Sequence, residues 1–273
     1  PTKTTYGESL AKAMGAINYL STRADVDMSN VSVIGTSYGA NLSVFMATQW
    51  AQKKFLPEQI KIRKVAALYP VCWFYPKIIK RDTNSWFFKE RLQDFPADMM
   101  DNWANIPMKL FAAGQDDYSG KDATVCPEFK EALPSEAQKA LTSVVVYPDA
   151  THGWDQGRTF SFHEPAACQS KGCTNTNAFN PAVTAQAKKE LRYAMNCFNK
   201  LLYPAATNKP TRHPELYRPL IFATLEGAHE TTDKAQTIHY NITLGNLPSQ
   251  LTAEDVQVLF THAWHTMAGQ SKN

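Results

Sequence analysis

Residues 31–40, Val-Ser-Val-Ile-Gly-Thr-Ser-Tyr-Gly-Ala, are the most informative stretch of this chain. The run from Val31 to Ile34 predicts a short buried strand, and Ala40 to Gln52 predicts a helix because it holds no glycine or proline. A Gly-x-Ser-x-Gly sequence between a strand and a helix forms a tight turn that strains the serine backbone and raises its hydroxyl above the sheet. We expect both glycines to let neighbouring backbone pass close to Ser37.

The five-residue pattern alone is weak, since it occurs by chance in about one chain in ten of this length. A glycine-rich phosphate loop is the alternative, but the lysine that follows such a loop is missing. The strand–turn–helix setting therefore favours a nucleophilic serine at position 37. A serine hydroxyl needs a general base, and the base needs an acid to orient it.

Further strands alternate with helices along the chain. Apolar runs predict strands at Val65–Tyr69, Met108–Ala113 and Val144–Tyr147, and helical spacing predicts helices at 8–20, 128–133, 135–141 and from Pro181 to about residue 202. This alternation is typical of an α/β protein with a doubly wound, mostly parallel sheet covered on both faces. Functional residues of such sheets follow the carboxyl ends of the strands.

Acid and base candidates stand at two of those strand ends. Asp116 and Asp117 follow the strand ending at Ala113, and His152 follows the strand ending at Tyr147. The chain order serine, acid, histidine is the order of one hydrolase fold. We expect Ser37 as nucleophile and His152 as base, with the N–H of the next residue, Tyr38, in an oxyanion hole.

These stretches resemble the α/β-hydrolase fold and, within it, the dienelactone hydrolase-like family, over roughly residues 5 to 202. The matching runs are 33–40, 69–72, 116–119 and 147–155, the last being Tyr-Pro-Asp-Ala-Thr-His-Gly-Trp-Asp. Family members usually carry a cysteine nucleophile where this chain has Ser37. Matching without a gap from Pro107 favours Asp116 as the acid, whereas counting from Gly114 selects Asp117.

The resemblance implies a serine hydrolase that cleaves a carboxylic ester or related acyl bond of a small molecule, without cofactor. A prolyl oligopeptidase-like peptidase is the near alternative, and a non-catalytic binding protein of the same fold is another. A third class is RNA binding, because residues 242–248 and 252–260 resemble the opening of an RNA-recognition motif. No second aromatic strand follows them, so no nucleic-acid partner is expected. Trp73, Tyr118 and Trp154 are candidates for an apolar pocket, with core packing an equal alternative for each.

Cysteine usage bears on the compartment. Cys168 and Cys173 bracket a short polar loop, which favours a disulfide over two free thiols. Positions of cysteines in exported relatives imply a Cys72–Cys126 bridge, with two buried thiols equally open. Disulfides would indicate a periplasmic or secreted protein, with the cytoplasm as the alternative. The cysteine and histidine spacings show no metal site.

The remaining composition is that of a globular chain. Its 273 residues include 44% hydrophobic and 19% charged residues, with a net charge of +3 that is too small to imply nucleic acid. No run of about 18 apolar residues predicts a membrane span. The oligomeric state stays undetermined.

The fold's usual first strands and second oxyanion loop do not precede residue 6. We therefore expect residues 1–203 to be an N-terminally incomplete catalytic domain and 204–273 an extension of unassigned role. The alternative is that strands predicted at 220–225 and 237–244 cover the open edge beside the first strand. A last helix is predicted over Ala253–Trp264.

Overall fold

A computed structural model describes residues 4–82, 84, 86–169, 172–202, 220–224 and 241–245. The helices are α1 (Tyr6–Leu20), α2 (Tyr38–Met46), α3 (Gln49–Phe55), α4 (Tyr75–Ile79), α5 (Trp86–Arg91), α6 (Val125–Ala132), α7 (Glu136–Leu141) and α8 (Pro181–Leu202). The strands are β1 (Val31–Thr36), β2 (Ile62–Leu68), β3 (Met108–Ala113), β4 (Thr142–Tyr147), β5 (Phe160–Glu164), β6 (Cys173–Asn177), β7 (Leu220–Thr224) and β8 (Asn241–Gly245).

Strands β1 to β4 form the parallel sheet that the sequence predicts, in the order β4-β3-β2-β1. Successive residues of a strand face opposite sides. Val65 and Ala67 of β2 accordingly pack in one core cluster with α1 and α2. Ala66 and Leu68 pack in a second cluster with α8. Helices therefore cover both faces of the parallel sheet, as the α/β prediction expects.

The edge of β1 is covered within the described part of the chain. Strand β7 pairs in parallel with β1, where Gly35 lies opposite Ala223. Strand β8 pairs antiparallel with β7 and completes a six-stranded sheet. These strands fall in the segment 204–273, so part of the predicted extension joins the same sheet as β1 to β4. Residues 242–245 of the RNA-motif-like stretch belong to β8, whereas residues 246–248 and 252–260 and the predicted helix Ala253–Trp264 lie outside the described residues.

The single helix predicted over Ala40–Gln52 is wrong. The chain forms α2 and α3 instead, and Thr48 stands between them as the N-cap of α3. Its hydroxyl accepts a hydrogen bond from Ala51 N and donates one to Phe45 O, and its backbone bridges to Trp103. A threonine side chain that satisfies both helix ends offsets the cost of breaking the helix.

Two regions have no counterpart among the predicted elements. Helices α4 and α5 are short and follow β2, where Phe74, Tyr75, Phe87 and Phe88 pack into the first core cluster. Strands β5 and β6 form an antiparallel hairpin between the His152 loop and α8. Their alternation is weak, because β6 is Cys-Thr-Asn-Thr-Asn.

Two cysteine pairs lie at disulfide distance. Cys72, after β2, is bonded to Cys126 of α6, and Cys168 is bonded to Cys173 at the start of β6. The second bridge closes the turn of the β5–β6 hairpin. Of the helices in the described part of the chain, none combines the length and the apolar character that crossing a bilayer requires.

Candidate active site

Ser37 occupies the turn between β1 and α2 in a strained conformation. Its φ of 51° and ψ of −119° are rare for a residue with a side chain. The backbone on both sides holds it there, since Ser37 N donates to Leu68 O at 3.0 Å and Ser37 O accepts from Asn41 N at 3.1 Å. The turn thus fixes Ser37 between β1, β2 and the first turn of α2.

The two glycines of the turn differ in what they permit. A Cβ at Gly35 would overlap the carbonyl of Gly39 and the side chain of Ser43. A Cβ at Gly39 would meet no described atom within 4 Å apart from its chain neighbours and the backbone of its own helix. The expectation that both glycines allow close backbone approach therefore holds for Gly35 and is wrong for Gly39.

Three predicted residues form a continuous chain of contacts. Ser37 Oγ lies 2.7 Å from His152 Nε2, and His152 Nδ1 lies 2.8 Å from Asp116 Oδ2. His152 is 3% exposed and Asp116 is 2% exposed, so water barely competes for either hydrogen bond. The second carboxylate oxygen of Asp116 accepts from Tyr118 N at 2.9 Å. A carboxylate held on both oxygens presents one fixed acceptor to the imidazole.

Asp117, the alternative acid, faces away from His152. Its Oδ2 accepts from Thr176 N on β6 at 2.8 Å, and its Oδ1 lies 3.6 Å from Lys121 Nζ. Its carbonyl accepts from Cys168 N. Asp117 therefore ties the loop after β3 to the disulfide-bearing hairpin.

Two aromatic rings pack against the imidazole of His152. The Tyr118 ring lies 4.5 Å from it between centroids, and the Tyr69 ring lies 5.0 Å from it edge-on. Burial, followed by the Glu164 and Asp116 carboxylates, raises the pKa of Tyr118, so its hydroxyl stays neutral. The sequence did not single out Tyr69 as a site residue, although the Tyr-Pro pair directly after a buried strand belongs to the matching run 69–72 and could have indicated it.

The N–H of Tyr38 is available for an oxyanion. Tyr38 is the first residue of α2, where backbone N–H groups have no acceptor within the helix. Its side chain is fixed away from the turn, since its hydroxyl lies within hydrogen-bonding distance of Thr5 O and Ser9 Oγ and its ring stacks on Tyr6 at 4.3 Å. The positive end of the α2 dipole lies at the same place and also favours a negative charge near the Tyr38 N–H.

Asn41, which the sequence did not single out, joins the serine turn to the segment after β2. It is 1% exposed, and its Oδ1 accepts from Val71 N and from the Tyr75 hydroxyl. Its amide donates to the Tyr6 hydroxyl at 2.9 Å. This one side chain thereby links α1, α2 and the loop that carries Trp73.

The three residues predicted to line a pocket lie in different surroundings. Trp154 is fully buried and packs edge-on against Tyr69 and Tyr147, so its surroundings are those of a core residue. Trp73 lines an open cleft of about 350 Å³ with Lys77 and Glu128. Tyr118 is half-buried beside His152.

One group of ligand-type side chains was found in the described part of the chain. The candidate atoms of Asp117, Cys168 and Cys173 lie within 4.8 Å of one another. The two sulfur atoms are joined in the disulfide, and only a thiolate is a metal ligand. This group therefore offers one carboxylate in its oxidised form, which is too few ligands for a structural metal.

Comparison with known proteins agrees with this architecture. A family model described as alpha/beta hydrolase fold matches residues 3–155, which is more than half of the chain. The chain belongs to the alpha/beta hydrolase fold family. The matched segment of this family member holds Ser37, Asp116 and His152 and ends at Asp155. No curated protein matches the chain.

Solved esterase structures are similar to this alpha/beta hydrolase at low identity. A Rhizomucor miehei fungal esterase is 16% identical, with 72% of this chain and 62% of that chain covered and a TM-score of 0.45. Esterase B of Lactobacillus rhamnosis is 11% identical, with 73% and 65% covered and a TM-score of 0.46. Thermogutta terrifontis esterase 2 is 17% identical, with 74% and 69% covered and a TM-score of 0.48. The chain spans less than two thirds of the length of the first two.

Proposed function

We propose that this chain is a serine hydrolase that cleaves a carboxylic ester or a related acyl bond in a small molecule. The observation that carries the proposal is the geometry at Ser37, whose Oγ lies 2.7 Å from His152 Nε2 while His152 Nδ1 lies 2.8 Å from Asp116 Oδ2. Nucleophile, base and orienting acid at these distances are what acyl transfer through an acyl-enzyme requires. All three lie within residues 1–203, the proposed catalytic domain.

Acylation begins with Ser37. Its Oγ attacks the carbonyl carbon of the substrate while His152 Nε2 takes the hydroxyl proton. Asp116 holds the Nδ1–H of the same ring, which keeps Nε2 free to accept and stabilises the imidazolium that forms. The C–O bond to the leaving group then breaks, and His152 returns the proton to the departing oxygen.

The oxyanion of the tetrahedral intermediate is assigned to the Tyr38 N–H at the start of α2. Deacylation repeats the sequence with water, which His152 deprotonates, and Ser37 leaves as the product acid forms. A single donor of this kind contributes about 100- to 1,000-fold in turnover in a well-studied protease. Neither step needs a cofactor.

The finer assignment is to a dienelactone hydrolase-like enzyme with serine in place of cysteine. The run Tyr147 to Asp155 supports it, because this run surrounds His152 as the resemblance expects. The two cysteine pairs at bonding distance favour a periplasmic or secreted location. Measured free thiols in protein purified from its natural compartment, at two or more of these positions, would contradict that location.

Turnover of p-nitrophenyl acetate, butyrate and octanoate by the 273-residue chain tests the proposal. We expect hydrolysis of at least one ester, and Ser37→Ala should lower kcat by about 10⁶-fold. Ser161→Ala, the same change on the exposed hairpin, is the matched control and should leave kcat within about twofold. Cleavage of dipeptidyl p-nitroanilides without ester cleavage would select the peptidase alternative. Absence of Ser37-dependent turnover on both would select the binding-protein alternative.

A further inference from the structure

Tyr69, the residue that follows β2, stands in a conformation that side chains rarely adopt. Its φ is 41°, in the left-handed region, yet it is a tyrosine and is 2% exposed. Tyr69 N donates to Phe111 O at 2.7 Å, which continues the pairing of β2 with β3. Strain of this kind persists where the surrounding structure demands it, and it clusters near functional sites.

The side chain of Tyr69 contacts the His152 loop at three residues. Its ring lies edge-on to His152 at 5.0 Å and to Trp154 at 4.8 Å. Its hydroxyl donates to Asp155 Oδ1 at 2.9 Å. The ring therefore lies between the imidazole and the core, and the hydrogen bond ties the loop three residues beyond His152.

These contacts restrict a motion of the His152 ring that the hydrogen bond to Asp116 allows. A hydrogen bond at Nδ1 fixes one point of the imidazole, but the ring can still tilt about that point. A tilt moves Nε2 away from Ser37 Oγ. Tyr69 and Tyr118 both pack on the imidazole and restrict this motion.

The Asp155 carboxylate is partly buried and accepts a hydrogen bond from Tyr69. Burial raises the pKa of its carboxyl, and the Tyr69 hydroxyl, Lys188 and His152 oppose that rise. A partly buried carboxylate is costly without a hydrogen-bond donor, and Tyr69 supplies one. The pair is thus poised to act as a unit.

We propose that Tyr69 and Asp155 are positioning residues that hold the His152 imidazole in line with Ser37. The inference rests on the proposed hydrolase function and adds two residues that act through His152 without touching the substrate. Removing the Tyr69–Asp155 hydrogen bond would let the His152 loop shift and misalign Nε2. Misplacement of a catalytic group by about 1 Å can cost 100-fold in rate.

The kinetic test uses p-nitrophenyl acetate and the full chain. We expect Tyr69→Phe and Asp155→Ala each to lower kcat by about 10- to 100-fold with KM within about twofold. Asp155→Asn keeps an oxygen that accepts from the Tyr69 hydroxyl and should restore kcat to within about threefold of the unmodified chain. The double variant Tyr69→Phe with Asp155→Ala should be no worse than the poorer single variant, because both remove the same bond.

Tyr147→Phe is the matched control. Tyr147 packs on Trp154, as Tyr69 does, with 5.4 Å between the ring centroids. Among the described residues, Tyr147 makes no ring contact with His152. Its kcat should stay within about twofold. Equal kcat for Tyr69→Phe, Asp155→Ala and the unmodified chain would overturn the inference, as would equal losses in Asp155→Asn and Asp155→Ala.

A second readout separates this inference from the proposed function. The proton on His152 Nδ1 in the bond to Asp116 gives a low-field proton NMR signal when the ring is held still. We expect a sharp signal in the unmodified chain and in Tyr147→Phe, and a broadened or absent one in Tyr69→Phe. An unchanged signal in Tyr69→Phe overturns the positioning role, whether or not the chain hydrolyses an ester. A lost signal supports the positioning role. Absence of ester turnover in the unmodified chain, by contrast, contradicts only the proposed function.

Discussion

Asp116 and Asp117 are neighbours in the chain, carry the same carboxylate and are both buried, yet they face different parts of the molecule. Asp116 contacts His152, whereas Asp117 contacts Thr176 of the β5–β6 hairpin. Burial and charge therefore do not distinguish a carboxylate that orients a base from one that anchors a loop. The partner atom does, and the pair provides an internal control for every experiment on the site.

Asparagine at each position gives the sharpest contrast. Asp116→Asn should lower kcat on p-nitrophenyl acetate by about 10⁴-fold, because an amide stabilises the wrong tautomer of His152 and cannot balance the imidazolium. Asp117→Asn keeps an oxygen for the Thr176 N–H and should leave kcat within about tenfold. Equal losses at both positions would mean that the observed partners do not define the roles.

The two glycines of the serine turn form a second contrasting pair, because they differ in the room that they leave for a side chain. Gly35→Ala should destabilise the fold by about 3 kcal/mol or more, since its Cβ would overlap the backbone of Gly39 and the side chain of Ser43. Gly39 lies in α2, and a Cβ there would meet no described atom beyond its chain neighbours and the backbone of its own helix. Gly39→Ala should therefore be neutral or add up to about 1 kcal/mol of helix stability. Urea unfolding of both variants measures the difference, and similar midpoints would contradict it.

Asp117→Ala tests the anchoring role on stability. The change leaves Thr176 N without its acceptor in a part-buried site, which should cost about 1–3 kcal/mol of unfolding free energy. Asp122→Ala is the control: Asp122 is an exposed residue of the same loop, and its carboxylate accepts hydrogen bonds from Thr124. Its expected effect is about 0.5 kcal/mol. An Asp117→Ala variant as stable as Asp122→Ala would argue against the anchor.

Asp155→Asn gives the smallest effect on stability, and the size of that effect depends on pH. Burial raises the pKa of the Asp155 carboxyl above its unfolded value, so its ionisation costs more free energy in the folded than in the unfolded chain. That penalty is present above the folded pKa and vanishes below the unfolded value of about 3.9. The variant should therefore melt slightly higher than the unmodified chain at pH 7 and equally at about pH 3. A gain that persists at pH 3 would contradict this origin.

The sequence is informative where local chemistry dictates structure. Apolar runs predict β1 to β4, and the Gly-x-Ser-x-Gly turn fixes where Ser37 must lie. The order of acid and histidine after two strands narrows the candidates to Asp116, Asp117 and His152. These features depend on residues close in sequence or on the shared edge of a parallel sheet.

Features that depend on distant partners were beyond reach. The break at Thr48 depends on Trp103, and the choice between Asp116 and Asp117 depends on which carboxylate a loop turns toward His152. Tyr69 belongs to no catalytic motif. The features that draw attention to it are its positive φ angle and its hydrogen bond to Asp155, which is 86 residues away. Strand β7 beside β1 is also a long-range pairing, and the sequence offered it only as the alternative cover for the open edge of the first strand.

The most direct test is covalent labelling of the chain by a fluorophosphonate, followed by peptide mapping. The probe reacts with a serine only when a base removes its proton, so it reports the Ser37–His152–Asp116 contacts without assuming a substrate. We expect one adduct per chain on Ser37, lost in Ser37→Ala, slowed by orders of magnitude in Asp116→Asn and nearly unchanged in Asp117→Asn. No adduct on Ser37, or equal rates in the two aspartate variants, would contradict the account.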